Sequence, residues 1–142
     1  MRRLQLVNDN PDKQEMPKIL IIDDDALIRN LLGQILEPFE ERGVQLFFAQ
    51  DGIVALDIVS KEEPDIVFLD VMMPKMNGFD VCGILKNGPH RKKCYVIMLT
   101  AKGQKVDREK ARYAGADAYI TKPFNISEIT NKVSEALGIR LQ

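Results

Sequence analysis

The sequence predicts an α/β domain built as a doubly wound, five-stranded parallel sheet with helices on both faces, strand order 2-1-3-4-5. Three observations carry that expectation. Short unbroken apolar runs, Ile19-Leu20-Ile21-Ile22 and Ile66-Val67-Phe68-Leu69 the clearest, read as strands buried on both faces. Stretches with apolar residues at helical spacing alternate with them, and a strand–helix–strand crossover of that kind is parallel and right-handed. Four of the five runs end in a charged or hydroxyl residue, at the carboxyl ends of the strands, where open parallel sheets bind ligands.

Each element follows from its local pattern. Residues 1–16 are largely polar and Asn10-Pro11-Asp12 breaks any helix, so they are expected to be a flexible tail, with a short docking arm as the alternative, ahead of a domain spanning 17–142. The first strand, Ile19 to Ile22, ends in Asp23-Asp24-Asp25, three acids that repel one another. Asp25 is assigned the N-cap of the next helix, which leaves Asp23 and Asp24 without a structural role. That helix carries Leu27, Ile28, Leu31, Leu32, Ile35, Leu36 and Phe39 as a core-facing stripe, with Pro38 expected to end it or kink its last turn. Val44 to Ala49 forms the second strand. Asp51-Gly52 then turns into a helix with Val54, Ala55, Ile58 and Val59.

The third strand ends in Asp70. A carboxylate at the edge of a core is costly unless a cation, a metal or a set of donors compensates it. Pro74 and Asn77-Gly78 turn the chain into a helix with Phe79, Cys82 and Leu85. A polar loop, Asn87 to Lys93, holds the single histidine, His90, read as solvated. Tyr95 to Leu99 is the fourth strand and ends in Thr100-Ala101. A weak helical stripe of Val106, Ala111 and Ala114 stops at Gly115. Ala118-Tyr119-Ile120 is the fifth strand and ends in Thr121-Lys122-Pro123. Asn125 and Glu128 form a capping box for the last helix, with Ile126, Ile129, Val133 and Leu137 facing inward. The second strand, whose end is chemically silent, is expected at the sheet edge.

Composition excludes several function classes. The chain has 142 residues, 45% hydrophobic and 29% charged, which suits one globular domain with its own core. A net charge of -1 gives no general pull toward nucleic acid or an anionic membrane, so no direct nucleic-acid binding is expected. No apolar stretch approaches the length of a membrane span. Cys82 and Cys94 lack metal or disulfide spacing and read as reduced core thiols, which fits a cytoplasmic location.

The residues at the strand ends suggest a chemistry. Hard carboxylate oxygens on adjacent strands suit Mg²⁺ or Mn²⁺, with Asp24 and Asp70 as direct ligands, Asp23 holding a coordinated water and the Met72 backbone carbonyl filling a further position. Three carboxylates, one dication and one lysine sum to zero charge. Such a site can receive a phosphoryl group, with Asp70 as nucleophile and Lys122 and Thr100 stabilising the phosphoryl oxygens.

With Asp23-Asp24, Asp70, Met73-Pro74, Gly78, Thr100-Ala101, Tyr119 and Lys122-Pro123-Phe124 in this order over residues 17–138, the chain resembles a receiver domain of the two-component response regulators, chemotaxis-type single-domain regulators among them. The resemblance implies a flavodoxin-like three-layer sandwich, a cis bond before Pro123, and Mg²⁺-dependent phosphoryl transfer to Asp70 from a sensor histidine kinase or a histidine phosphotransfer protein. It implies a switch rather than an enzyme. Phosphorylation draws Thr100 toward Asp70, Tyr119 turns inward, and the surface of the fourth helix, fifth strand and fifth helix changes to control an unknown protein target. Leu27, Ile28 and Leu31 on the first helix offer a docking face for the phosphodonor. Lys102 and Met72 stand where family members vary and tune the lifetime of the phosphate.

Two alternatives stand beside this. Asp23-Asp24-Asp25-Ala26-Leu27 also resembles the nucleophile motif of haloacid-dehalogenase phosphatases, with Asp23 as nucleophile. That family needs a further acidic pair near its lysine, which Thr121 to Asn125 does not supply, and it leaves Asp70 unexplained. The other is a receiver-like docking module that works without phosphate. With no output domain in the sequence, the chain is expected to be either a single-domain regulator or a fragment of a longer protein.

Overall fold

The structure, a computed structural model, describes residues 16–88, 94–101 and 105–141. His90, Lys102 and the segment 1–15 lie outside the described residues, as do the side chains of Val106 and Ala111. The elements run β1 (Lys18–Ile22), α1 (Ala26–Ile35), α2 (Glu37–Glu40), β2 (Gln45–Ala49), α3 (Gly52–Glu62), β3 (Ile66–Asp70), α4 (Gly78–Asn87), β4 (Tyr95–Ala101), α5 (Lys105–Ala114), β5 (Ala118–Lys122) and α6 (Ile126–Leu137). The five strands form one parallel sheet in the order β2-β1-β3-β4-β5.

Period-two alternation along the buried strands divides the core into two layers. Ile19, Ile21, Ile66, Phe68, Ile97, Leu99 and Ile120 face α1, α2 and α6, where Leu32, Ile35, Phe39, Ile129 and Val133 meet them. Leu20, Ile22, Val67, Leu69, Val96 and Met98 face the other way, onto Ala55 and Val59 of α3 and Val81, Cys82 and Leu85 of α4. Both cysteines are buried and free, and burial pushes each thiol up to about 11, so they stay protonated.

Side-chain caps start the helices where expected. The Asp25 carboxylate accepts from the Leu27 amide, Asp51 from Val54, Asn77 from Asp80, and Asn125 forms a complete capping box with Glu128.

The first helix departs from expectation in two ways. It ends at Ile35, and the chain restarts as the short α2, with Pro38 in its opening turn and Phe39 still buried. Proline has no N–H and its ring clashes with the preceding turn, so it tolerates a helix start better than a helix interior. The stripe is also narrower than read, since Leu27 is 77% and Leu31 43% exposed, while Leu32, Ile35 and Leu36 are buried. Because α2 takes a number, the helices flanking β5 are α5 and α6.

Candidate functional site

Parallel strands deliver their carboxyl ends to the same end of the sheet, which is why residues far apart in sequence meet there. Asp70 closes β3 opposite Leu99 of β4, and the Val71 amide donates to the Leu99 carbonyl at 3.2 Å. The chain then loops to α4, whose first residue, Gly78, donates its amide to the Val71 carbonyl at 2.9 Å. A Cβ on Gly78 would lie 2.8 Å from the Val71 Cα and against the Asp70 carbonyl, so this return of the chain requires glycine.

Asp23 follows β1 and is fully buried. Its amide donates to the Ala49 carbonyl at 3.1 Å, its Oδ1 accepts from the Asp25 amide at 2.9 Å, and its Oδ2 accepts from Lys122 Nζ at 3.1 Å. Lys122, the last residue of β5, also donates to Asp70 Oδ1 at 3.1 Å. One ammonium therefore bridges two buried carboxylates. The cis peptide expected before Pro123 is present.

Burial raises Asp70 from its ordinary 3.8 to about 6, with the Asp23 charge adding to the rise and Lys122 and the Met72 amide opposing it. Near neutrality the group is therefore mostly ionised. For Lys122, burial alone would lower the pKa. Asp70 and Asp23 outweigh it, so the ammonium titrates above its ordinary 10.5 and stays charged.

Asp24 is exposed, yet Asp23, Asp24 and Asp70 each offer a carboxylate oxygen with all three within 4.8 Å of one another. An all-oxygen, carboxylate-rich set of this kind fits a hard divalent cation such as Mg²⁺ or Mn²⁺ better than a soft one.

Thr100 is buried near the end of β4, beside Thr121 of β5 and one residue beyond the partner of Asp70. Among the described residues the Asp70 side chain is bonded by Lys122 and, over a long 3.4 Å, by the Met72 amide, but not by Thr100. Tyr119 stands on β5 with 39% of its surface exposed. Met72 is exposed just beyond Asp70, and on α1 Ile28 is half-buried beside the exposed Leu27 and Leu31.

One contact was missed in the sequence. Arg29 of α1 reaches back and donates from Nη1 to the Asp23 carbonyl at 2.6 Å. The available signal was a cation just after the first turn of a helix, where the macrodipole disfavours positive charge, in a helix with no acidic residue in that turn.

Fold and site together define a doubly wound domain with an acidic pocket and a bridging lysine at the carboxyl ends of its strands. Residues 19–134 match the model of the response regulator receiver domain, and the chain belongs to that family. It is 40% identical over 122 residues to the DNA-binding dual master transcriptional regulator RpaA of Synechocystis, covering 86% of this chain and 49% of RpaA. It is 35% identical to protein PilG of Pseudomonas aeruginosa, covering 82% of this chain and 84% of PilG. The crystal structure of the chemotaxis protein CheY4 of Vibrio cholerae superposes with a TM-score of 0.76 at 28% identity, over 87% of this chain and all of that one. The chain thus spans about half the length of RpaA, as it does of the regulator CpxR of Escherichia coli.

The chain is accordingly a receiver domain of the two-component response regulators, a signalling switch rather than a typical enzyme. Phosphoaspartate and Mg²⁺ are general features of the family, and receiver domains interact with histidine kinases or histidine phosphotransfer proteins. No helix among the described residues is long and apolar enough to cross a membrane.

Proposed function

We propose that Asp70 is the phosphoacceptor, taking a phosphoryl group from a phosphohistidine of a sensor kinase or phosphotransfer protein in the cytoplasm, within a domain spanning residues 17–142. The observation that carries this reading is the Lys122 ammonium held 3.1 Å from both Asp70 Oδ1 and Asp23 Oδ2. The Asp70 carboxylate attacks the phosphorus, the phosphorus–nitrogen bond to the donor imidazole breaks, and Asp70 becomes an acyl phosphate. Lys122 is placed to shift from the acceptor carboxylate to a phosphoryl oxygen as charge builds there, which is positioning and electrostatic stabilisation.

Asp24 and Asp70 are the direct ligands proposed for Mg²⁺, with Asp23 acting through a water and Met72 through its carbonyl. Mg²⁺, when bound, would supply positive charge to offset that of the phosphoryl group. Asp23 also keeps Lys122 oriented, since its Oδ2 takes one of the three ammonium protons.

Thr100 and Tyr119 are proposed as the switch. The hydroxyl of Thr100 is the donor that a phosphoryl group on Asp70 would recruit, and Tyr119, 39% exposed on β5, would turn inward in response. The surface so changed is that of α5, β5 and α6, where an unidentified protein target would bind. Leu27, Ile28 and Leu31 remain the proposed docking face for the donor.

A phosphatase using Asp23 fits less well. Both Asp23 carboxylate oxygens are engaged and the residue is fully buried, so it is poorly placed to attack. The reading is tested by incubation with Mg²⁺ and acetyl phosphate followed by intact mass. One labile phosphoryl per chain is expected on the wild type and none on Asp70→Asn. Continuous release of phosphate over many turnovers would favour the phosphatase instead.

A further inference from the structure

We infer that Arg29 is a positioning residue of the cation site, acting through Asp24. The inference rests on the proposed reading of Asp23, Asp24 and Asp70 as the Mg²⁺ site. Asp24 has an exposed side chain with no hydrogen-bond partner among the described residues, yet its carboxylate is one of three oxygen donors gathered within 4.8 Å. Its orientation must therefore come from the backbone on either side.

Both flanking peptides are held. The peptide from Asp24 to Asp25 is fixed by its N–H, which donates to Asp23 Oδ1 at 2.9 Å. The peptide from Asp23 to Asp24 is fixed by its carbonyl, which accepts from Arg29 Nη1 at 2.6 Å. The Asp23 amide, bonded to the Ala49 carbonyl at 3.1 Å, anchors the start of this turn to the sheet. Arg29 is thus the side chain that sets the peptide plane immediately before Asp24. Asp23, Asp24 and the N-cap Asp25 immediately precede α1 and offset a cation near the positive end of its dipole, so Arg29 is accommodated there.

Outer-shell groups of this kind tune metal affinity by roughly 10- to 100-fold. Among the described residues the Asp70 carboxylate is bonded by Lys122 and Met72 and not by Arg29, so the loss of Arg29 should act on cation binding and spare the transfer step.

The test compares wild type, Arg29→Lys, Arg29→Met and Arg29→Ala in the full chain. Mg²⁺ half-saturation is read from the shift in unfolding temperature across a Mg²⁺ titration, and separately from the rate of phosphorylation by acetyl phosphate. For Arg29→Met and Arg29→Ala, half-saturation is expected to rise about tenfold in both readouts. The rate at saturating Mg²⁺ should stay within about threefold of wild type. Because the carbonyl of the buried Asp23 loses its partner, the metal-free unfolding temperature of both truncations should fall by several degrees, so each Mg²⁺ shift is read against the variant's own metal-free value. Arg29→Lys, which keeps one donor for the carbonyl, should recover most of the affinity.

Unchanged half-saturation in both truncations would overturn the inference while leaving the phosphoacceptor reading intact. So would a lower saturating rate at unchanged half-saturation, which would place Arg29 on the donor. So too would failure of Arg29→Lys to recover any affinity. A wild type whose unfolding temperature ignores Mg²⁺ would overturn the cation-site reading itself, and this inference with it.

Discussion

Lys122 and Asp70, 52 residues apart in sequence, are joined by a 3.1 Å bond between Nζ and Oδ1 at the ends of strands that are not even neighbours in the sheet. Of the groups shifting the Asp70 pKa, the lysine is the largest one lowering it. Replacing it with methionine, which keeps the stem and removes the charge, is expected to move Asp70 above its present value of about 6. A carbon-13 titration of the Asp70 carboxyl measures this, and an unchanged or lower midpoint would contradict it. The pair also has an alkaline signature. Lys122 is raised above 10.5, so its stabilising contribution is fully present below that value and is lost as pH climbs through the higher folded one.

Asp70 itself should cost stability when ionised. Its folded pKa of about 6 exceeds the ordinary 3.8, so between those values the folded state holds more protons than the unfolded one. Stability therefore falls as pH rises through that window. Asp70→Asn removes the effect. A shift of this size corresponds to about 3 kcal/mol at full strength, and solvent screening at the mouth of the pocket reduces the expected gain to about 1–2 kcal/mol at pH 8. Urea unfolding at pH 8 and pH 4 checks the sign, with the advantage of the variant shrinking at the lower pH.

Mg²⁺ should compete with the same proton. At about 100 times its dissociation constant a ligand stabilises the fold by about 2.7 kcal/mol, and that response should be present at pH 8. Below the Asp70 pKa of about 6 the apparent affinity should weaken by about tenfold per pH unit. Thermal unfolding with and without Mg²⁺ at pH 5 and pH 8 measures it. Asp24→Asn should blunt the response at both.

Gly78→Ala places a methyl group against the Asp70 carbonyl and the Val71 backbone, atoms that cannot swing aside as a side-chain tip could. A loss of about 1–3 kcal/mol is expected, with slower phosphorylation as the Asp70 loop is displaced. A variant as stable and as fast as wild type would show that the loop relaxes freely.

Sequence alone revealed those parts of the molecule whose physics is local. Ile66 to Leu69 is apolar on every residue because both faces of β3 are covered, and a strand buried on both sides admits little else. Asp23, Asp70 and Lys122 could be grouped because parallel strands all finish at one end of the sheet, so topology converts sequence order into proximity. The break after Ile35 was hidden because Leu36 and Phe39 continue the apolar spacing, and periodicity does not register where the backbone restarts. Leu27 and Leu31 fit the same spacing, but only the position of α6 and the width of the contact decide which side of the stripe meets solvent. The Arg29 contact was hidden for another reason. Its acceptor is a main-chain carbonyl, which no residue type announces.

The central claim is that the phosphoryl group forms its bond to Asp70 and to no other acid in the pocket. Borohydride reduces an acyl phosphate to the alcohol, so a phosphorylated aspartate is read as homoserine in a peptide digest. After treatment with acetyl phosphate and Mg²⁺, homoserine at position 70 alone is the expected result. Homoserine at position 23 or 24, or none in a chain that has gained the mass of a phosphoryl group, would contradict it.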